Sequence, residues 1–273
     1  MSSELSLLTE ILESDNWPKA VPDNQICDLT SEEDKRHRAK GIVDIILDRS
    51  LDGKRFLDVG CGEGHVCEHL ANYSSPKVCV GYDIERPDAT LWASDSLNLV
   101  DDWVMVKDRA PYDVILLYDV LDHTYEGEVV PLLKRVKDVC AKDAVIFVRT
   151  HPWCGRHGGH LYHKTNKAFL HLIFTEVELI DMGFSVPQMQ KVLHPQKRYG
   201  EWFNKAGFGS PKHHVVHEKP EEIFRESQVL RDRLRSHWSD SFDSRARIFP
   251  EFQMAQSYVD YIITVKKESI IPP

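Results

Sequence analysis

The chain has 273 residues, 42% hydrophobic and 28% charged, which is enough to bury a sizeable core in one or two domains. A formal net charge of −9 argues against a field that gathers polyanions over the whole surface. The N-terminal MSSELSLLTEILESDNWPK carries acids where a signal peptide carries positive charge, and no apolar run approaches the ~18 residues of a membrane span. A cytoplasmic protein is expected, with its six cysteines reduced because no CxxC pair occurs among them.

Residues 31–49 open on a cap signal (Ser31, Asp34) and carry Ile42, Ile45 and Ile46 at helical spacing. KRFLDVG then reads as a buried strand ending in glycine, HVCEHLANY as a helix, and KVCVGYDI, WVMVKD and YDVILLYDV as strands. EGEVVPLLKRVKDVC has helical periodicity and AVIFVRT is a further buried strand. This alternation predicts an α/β, doubly wound, mostly parallel sheet whose ligand site lies beyond the carboxyl ends of the strands. Further on, NKAFLHLIF and TEVELIDMG read as helices, RYGEWFNKAGF as a helix stopped by Gly207, and KHHVVHE as a strand. A charge-rich helical stretch follows, and in the last strand, QSYVDYIITVKK, Val259, Tyr261 and Ile263 alternate with Asp260 and Ile262.

In FLDVGCGEGHV, Asp58 precedes a turn with glycines at 60, 62 and 64, a pattern that lets backbone amides approach a ligand. A dinucleotide fingerprint would place its third glycine where this chain has His65, and an acid before the turn suits a ligand bearing an ammonium group. Asp83, 23 residues after Gly60, can accept both ribose hydroxyls, and Asp108, read as ending the third strand, can accept from an adenine amino group. Ammonium, ribose and adenine together describe S-adenosylmethionine (SAM).

FLDVGCGEGHV, GYDIE, VMVKD and YDVILLYDVLDH resemble the successive signature segments of class I SAM-dependent methyltransferases. The resemblance covers about residues 40–150 and returns in WFNKAGF, KHHVVHE and YVDYIIT. It implies a seven-stranded sheet with an antiparallel last strand, N-terminal helices, a helical insertion before that strand, and SAM as cofactor. It also implies a single domain: N-terminal helices over 1–50, the SAM-binding core over 51–150, the substrate side over 151–218, the insertion over 219–256 and the last strand over 257–267. Asp58 and the amides near Gly60, Cys61 and Gly62 would then hold the methionyl part, and Asp83 with Ile84 the ribose side. Asp108 would meet the adenine edge, and Tyr118, at the end of the fourth strand, completes the cofactor set.

Methyl transfer from a sulfonium needs a positioned nucleophile and, where that nucleophile starts protonated, a base. DVLDHT places Asp119, Asp122 and His123 directly after the fourth strand, which makes His123 with Asp119 the expected catalytic pair; helix capping and packing are their alternative roles. RNA 2′-O-methyltransferases of the same superfamily use a Lys-Asp-Lys-Glu tetrad, for which this chain offers Lys40, Asp119, Arg149 and Glu218. Arginine at the third position ranks this reading second, because its proton is held too tightly.

HPWCGRHGGHLYH, residues 151–163, follows the fifth strand. Its glycines and its Trp153, Arg156, His157 and His160 are expected to form a substrate wall. Zinc is the lesser reading: paired ligand spacing is missing, and a second segment, His213, His214 or His217, would have to close the site. No metal is therefore assigned. Basic stretches at 35–40, 197–205 and 231–238 read mainly as solvated helix faces. The acceptor, small molecule or RNA, stays open, as does a scaffold that keeps the fold without turnover; no membrane and no obligate protein partner are expected.

Overall fold

The computed structural model describes residues 3–21, 31–44, 51–85, 97–157, 161, 164–185, 194–238 and 250–265. In chain order the first half comprises α1 (Ser3–Glu13), α2 (Glu32–Ile42), β1 (Arg55–Val59), α3 (His65–Tyr73), β2 (Val78–Tyr82), β3 (Leu97–Val100), α4 (Trp103–Asp108) and β4 (Tyr112–Tyr118). A single turn at Leu121–His123 leads to α5 (Glu126–Asp138) and β5 (Cys140–Thr150). The second half holds α6 (Leu170–Ile173), α7 (Glu176–Asp181), α8 (Gln196–Lys205), β6 (Lys212–His217), α9 (Glu222–Glu226), α10 (Gln228–Trp238), α11 (Pro250–Met254) and β7 (Gln256–Thr264).

The strands form one seven-stranded sheet in the order β3-β2-β1-β4-β5-β7-β6. Pairs from β3 through β5 are parallel, whereas β7 runs antiparallel to both β5 and β6. The strand order reverses between β1 and β4, and a ligand crevice opens at such a switch point. In β4, Ile115, Leu116 and Leu117 are fully buried on both faces, as a central parallel strand requires. Each such side chain contributes roughly 1.5–3 kcal/mol of burial. On β7, Val259, Tyr261 and Ile263 all face the core, the alternation read from the sequence.

A second apolar cluster lies beyond the sheet. There Leu8 and Leu12 of α1 and Trp17 meet Phe169, Leu170, Phe224, Leu230 and Leu234. Trp17 Nε1 donates to the Ala168 carbonyl at 2.9 Å, tying the N-terminal segment to the region after β5.

Two element assignments from the sequence need correction. WVMVKD is helix α4, not the third strand, which is LNLV at 97–100. Asp102 caps α4 by accepting from the Val104 amide at 2.8 Å, and only Val106 of the run is buried; a short apolar run does not by itself tell helix from strand. NKAFLHLIF is helical only over Leu170–Ile173, because Phe169 enters it with φ 61°. The helix begun at Glu32 keeps its predicted cap, with Ser31 Oγ accepting from the Asp34 amide at 3.1 Å, while Ile45 and Ile46 lie outside the described residues.

Candidate functional site

β1 delivers the chain into the glycine turn at the switch point. The Gly60 amide donates to the Tyr82 carbonyl at 2.7 Å, so the turn is anchored to the end of β2. Gly60 has φ 75°, and a Cβ there would lie 2.5 Å from Val120 Cγ2. Only glycine lets the turn fit beneath the loop after β4. Asp83, just past β2, accepts from the Gly62 amide at 2.8 Å through Oδ2 and from the Glu85 amide at 3.1 Å through Oδ1. Its carboxylate is thereby fixed against the turn.

Asp58 lies beneath this turn and is 3% exposed. Burial, reinforced by the nearby Asp83 charge and opposed by Arg38, pushes its carboxyl up to about 7. A buried carboxylate without full compensation favours a cationic ligand group. Cys61 is a packing residue as well as part of the turn: a Cβ on Gly81 would come within 2.8 Å of its Sγ, and burial raises its thiol far above the ordinary range.

Helix α2 lies over the turn through charge pairs to its far side. Lys35 Nζ meets Glu63 at 2.5 Å, Arg36 Nε meets Glu68 at 3.2 Å, and His65 Nε2 meets Glu32 at 3.1 Å. Cys61, Gly62 and His65 line a recess of about 270 Å³ beneath it, together with Arg38.

On the other side of the turn, a cleft of about 480 Å³ is bordered by Gly60, Asp83, Ile84, Asp119 and His123. Five residues singled out from sequence thus share one cleft. Ile84 is 83% exposed, a large apolar side chain left open beside Asp83. Tyr82 and Arg135 also line the cleft, and Arg135 stacks on the Trp103 ring at 4.6 Å. Tyr118 stands apart from these walls, between the guanidinium groups of Arg38 at 5.2 Å and Arg149 at 5.8 Å.

Asp108 does not have the place the sequence suggested. It is exposed at the end of α4, whereas the acids that follow β3 are Asp101 and the helix cap Asp102.

Beyond β4 the chain turns sharply at Asp119, a non-glycine residue with φ 55°. Its amide donates to the Arg149 carbonyl at 2.9 Å. Asp119 Oδ2 lies 3.3 Å from Arg38 Nη2 and 3.6 Å from His151 Nε2. Burial would raise its carboxyl, but His151, Arg38 and His123 together hold it below the ordinary value. Asp122 is 1% exposed and accepts from the His151 amide at 3.0 Å. Burial, then the Asp119 charge, pushes its carboxyl up to about 7.

The segment after β5 departs from the expected substrate wall. Trp153 is 2% exposed and packs on Trp238 at 5.0 Å, so it belongs to the second core. Arg156 is turned away from the cleft, its Nε 2.9 Å from Glu218, its Nη2 2.5 Å from Glu221 and its Nη1 donating to the Lys19 carbonyl at 2.7 Å. These contacts hold the Arg156 side chain against the N-terminal segment and the residues that follow β6. His157 stays near the site, edge-on to His151 at 5.3 Å, and burial pushes its imidazole down to about 4. His160 lies outside the described residues. Cys154 is buried with Sγ against the Gln253 carbonyl at 3.3 Å, and His151 is committed to the two aspartates, so neither is arranged for zinc.

The Lys40/Asp119/Arg149/Glu218 tetrad is not assembled. Arg149 is held bidentately by Asp260 at 2.6 and 2.8 Å, Glu218 by Arg156, and exposed Lys40 lies near His69. The α2 cation that reaches Asp119 is Arg38. Two residues along a helix is about 200° of rotation, which puts Lys40 on the opposite side. Arg38 was legible only as part of a basic run, and His151 only as one of a row of histidines. Its signal was its place directly after the fifth strand.

A family model described as a methyltransferase domain matches residues 31–209. The chain is 29% identical over 83 residues to a ubiquinone biosynthesis O-methyltransferase of Maricaulis maris, a match that covers 28% of this chain and a third of that relative's length (33%). It is also similar in fold to a SAM-dependent methyltransferase from Archaeoglobus fulgidus, with TM-score 0.50 and 16% identity over 84% of this chain and 94% of that one. Because the family model spans β1 to β5, with the glycine turn at the sheet's switch point, the chain belongs to the methyltransferase-domain family, within the class I SAM-dependent methyltransferase superfamily.

Proposed function

We propose that this chain transfers a methyl group from SAM to an oxygen or nitrogen acceptor. The observation that carries the reading is the Gly60 turn: a cradle that a Cβ would fill, with Asp83 bonded to the Gly62 amide and the partly uncompensated Asp58 beneath it. These residues fit SAM. Asp58 would take the ammonium, amides of the turn the carboxylate, Asp83 the ribose hydroxyls and Ile84 one face of the adenine. Asp101, which directly follows β3, would replace Asp108 as the acid that meets the adenine amino group. When bound, SAM supplies an electrophilic methyl carbon on a sulfonium centre.

The chain's own contribution is to bind, orient and exclude water. The cleft of about 480 Å³ lies within the usual range for ligands of this size. Asp119 and His123, from the loop after β4, border the same cleft as Asp83 and Ile84, so the acceptor would meet the cofactor beside that loop. A small-molecule acceptor is favoured over RNA, because the arginines of the basic stretches are paired: Arg233 with Glu178, Arg235 with Asp232, Arg198 with Glu201. No helix among the described residues is long and apolar enough to cross a membrane, and a cytoplasmic location belongs to the same proposal.

Isothermal titration with SAM and with its demethylated product tests the reading. Saturable heat with both is expected. No heat with either would sink it, and binding without methyl transfer into any fraction of a cell extract would leave a scaffold instead.

A further inference from the structure

We propose that the chain holds a second ligand site, for a small aliphatic polyamine, between the segment after β6 and α11, with the buried carboxyl group of Glu251 as its floor. None of the residues that line it borders the SAM cleft, so this ligand is separate from the methyl acceptor and its binding needs no cofactor. The Glu218 amide donates to the Ala255 carbonyl at 2.7 Å, which ties the segment after β6 to the residue that follows α11. Phe169 and Phe224 meet edge to face at 5.2 Å, and Trp17 packs on Phe224 at 5.7 Å, so the second apolar core supplies a firm wall.

Glu251 is 2% exposed, and its Oε2 is buried with no hydrogen-bond partner among the described residues. The two cations that line the same small cavity are committed to other groups. Arg156 Nε lies 2.9 Å from Glu218, its Nη2 lies 2.5 Å from Glu221, and its Nη1 donates to the Lys19 carbonyl at 2.7 Å. Lys219 lies 3.6 Å from Glu222 and leaves 85% of its side chain exposed. A buried carboxyl oxygen without a partner is costly, and a cationic donor that reaches it offsets that cost.

The floor admits one kind of head group. Its cavity is about 10 Å³, room for one water-sized group, and is walled by Phe169, Phe224 and Met254. Neither His nor Cys lines it, so zinc is not matched, and calcium or magnesium would need about six oxygen ligands. An ammonium is water-sized, donates to a carboxylate and is attracted to the faces of aromatic rings.

Arg156, Lys219 and Glu221 also line an open cleft of about 600 Å³, so the small cavity adjoins a larger recess. In that cleft Glu226 is exposed, without an ion pair among the described residues. Across the two spaces five carboxyl groups face two cations, an excess that calls for a ligand with more than one positive charge. Pro220 and Ile223, in the same lining, give a methylene stem apolar surface to lie on. A linear amine with one head on Glu251 and another at Glu226 meets all of these features.

The test uses the full chain without SAM, and spermidine as the probe at low ionic strength. Titration calorimetry should give saturable binding that Glu251→Gln weakens about 30-fold and Glu226→Gln about threefold. Asp138→Asn, which removes the same charge from the exposed end of α5, should change it less than about twofold. NMR cross-relaxation between the terminal methylenes of the amine and the rings of Phe169 and Phe224 should appear in the wild type, a readout that needs no variant to fold. No saturable heat, which is the result if one water fills the floor, overturns the assignment, as does missing cross-relaxation. So does equal weakening by Glu251→Gln and Asp138→Asn, or displacement of spermidine by magnesium chloride at equal charge, since either means diffuse attraction to an acidic surface. A lysine-rich peptide that binds at least as tightly as spermidine overturns it too, because the occupant is then a protein segment.

Discussion

Asp58 links stability to the proposed function with opposite signs, and Asp58→Asn separates the two. In the folded chain its carboxyl is pushed up to about 7 by burial and then by Asp83. In the unfolded chain it returns to about 3.9. Because the folded value is the higher one, the folded state binds this proton more tightly. The stability that goes with the proton is fully present below about pH 4 and is lost as pH rises through about 7. Three pH decades at about 1.4 kcal/mol each set the full loss at ~4 kcal/mol. Of this, about 2.5 kcal/mol falls between pH 5 and pH 8. Asp58→Asn has no such proton, so urea unfolding should show the variant gaining about 2.5 kcal/mol on the wild type between those two pH values. Asp122, also pushed up to about 7, is present in both chains and drops out of the difference. The same variant should lose most of the thermal stabilisation that SAM gives the wild type, because the ammonium partner is gone. Parallel pH profiles for the two chains would refute the reasoning, as would undiminished SAM stabilisation in the variant.

Other positions give separate tests. Gly60→Ala forces a Cβ to within 2.5 Å of Val120 Cγ2 at a φ of 75°, so SAM affinity by titration should fall at least about tenfold, with about 1–3 kcal/mol lost in stability. Unchanged affinity would remove the turn from the binding site. Trp153→Ala should cost about 3–5 kcal/mol in denaturant unfolding and leave SAM affinity intact in the fraction that remains folded, since Trp153 is core. A stable variant with impaired transfer would restore it to a substrate wall. Asp260→Ala strands Arg149, whose side chain is 11% exposed, and should cost about 2–3 kcal/mol, below the full penalty for a buried pair because Asp260 is 24% exposed. No loss would mean that Tyr118 and Tyr258 alone hold the guanidinium.

The sheet was legible because its central strands are apolar runs bounded by turn residues, and because the glycine turn can adopt its backbone only with glycine. Gly60, Asp83, Ile84, Asp119 and His123 share one cleft for that reason: each lies in a loop that follows the carboxyl end of a strand that the pattern locates. Asp108 was misplaced because WVMVKD satisfies strand and helix patterns alike, and only the Asp102 cap separates them. Trp153 and Arg156 were misassigned because a glycine-rich segment fixes its own origin but not the direction of its side chains.

What the sequence determined by itself is therefore local: the alternation of elements, the acid before the glycine turn, the alternating face of β7 and the cap of α2. These depend on neighbours within a few residues, whose sterics and hydrogen bonds travel with the chain. Only the tertiary structure decided which charges meet. Arg38 and His151, 113 positions apart in sequence, converge on Asp119, while Arg149, Arg156 and Glu218 are spent on other partners. A carboxylate or an arginine carries no mark in sequence of the partner it will find, because that choice is made by the packing of helices and strands that lie far apart along the chain.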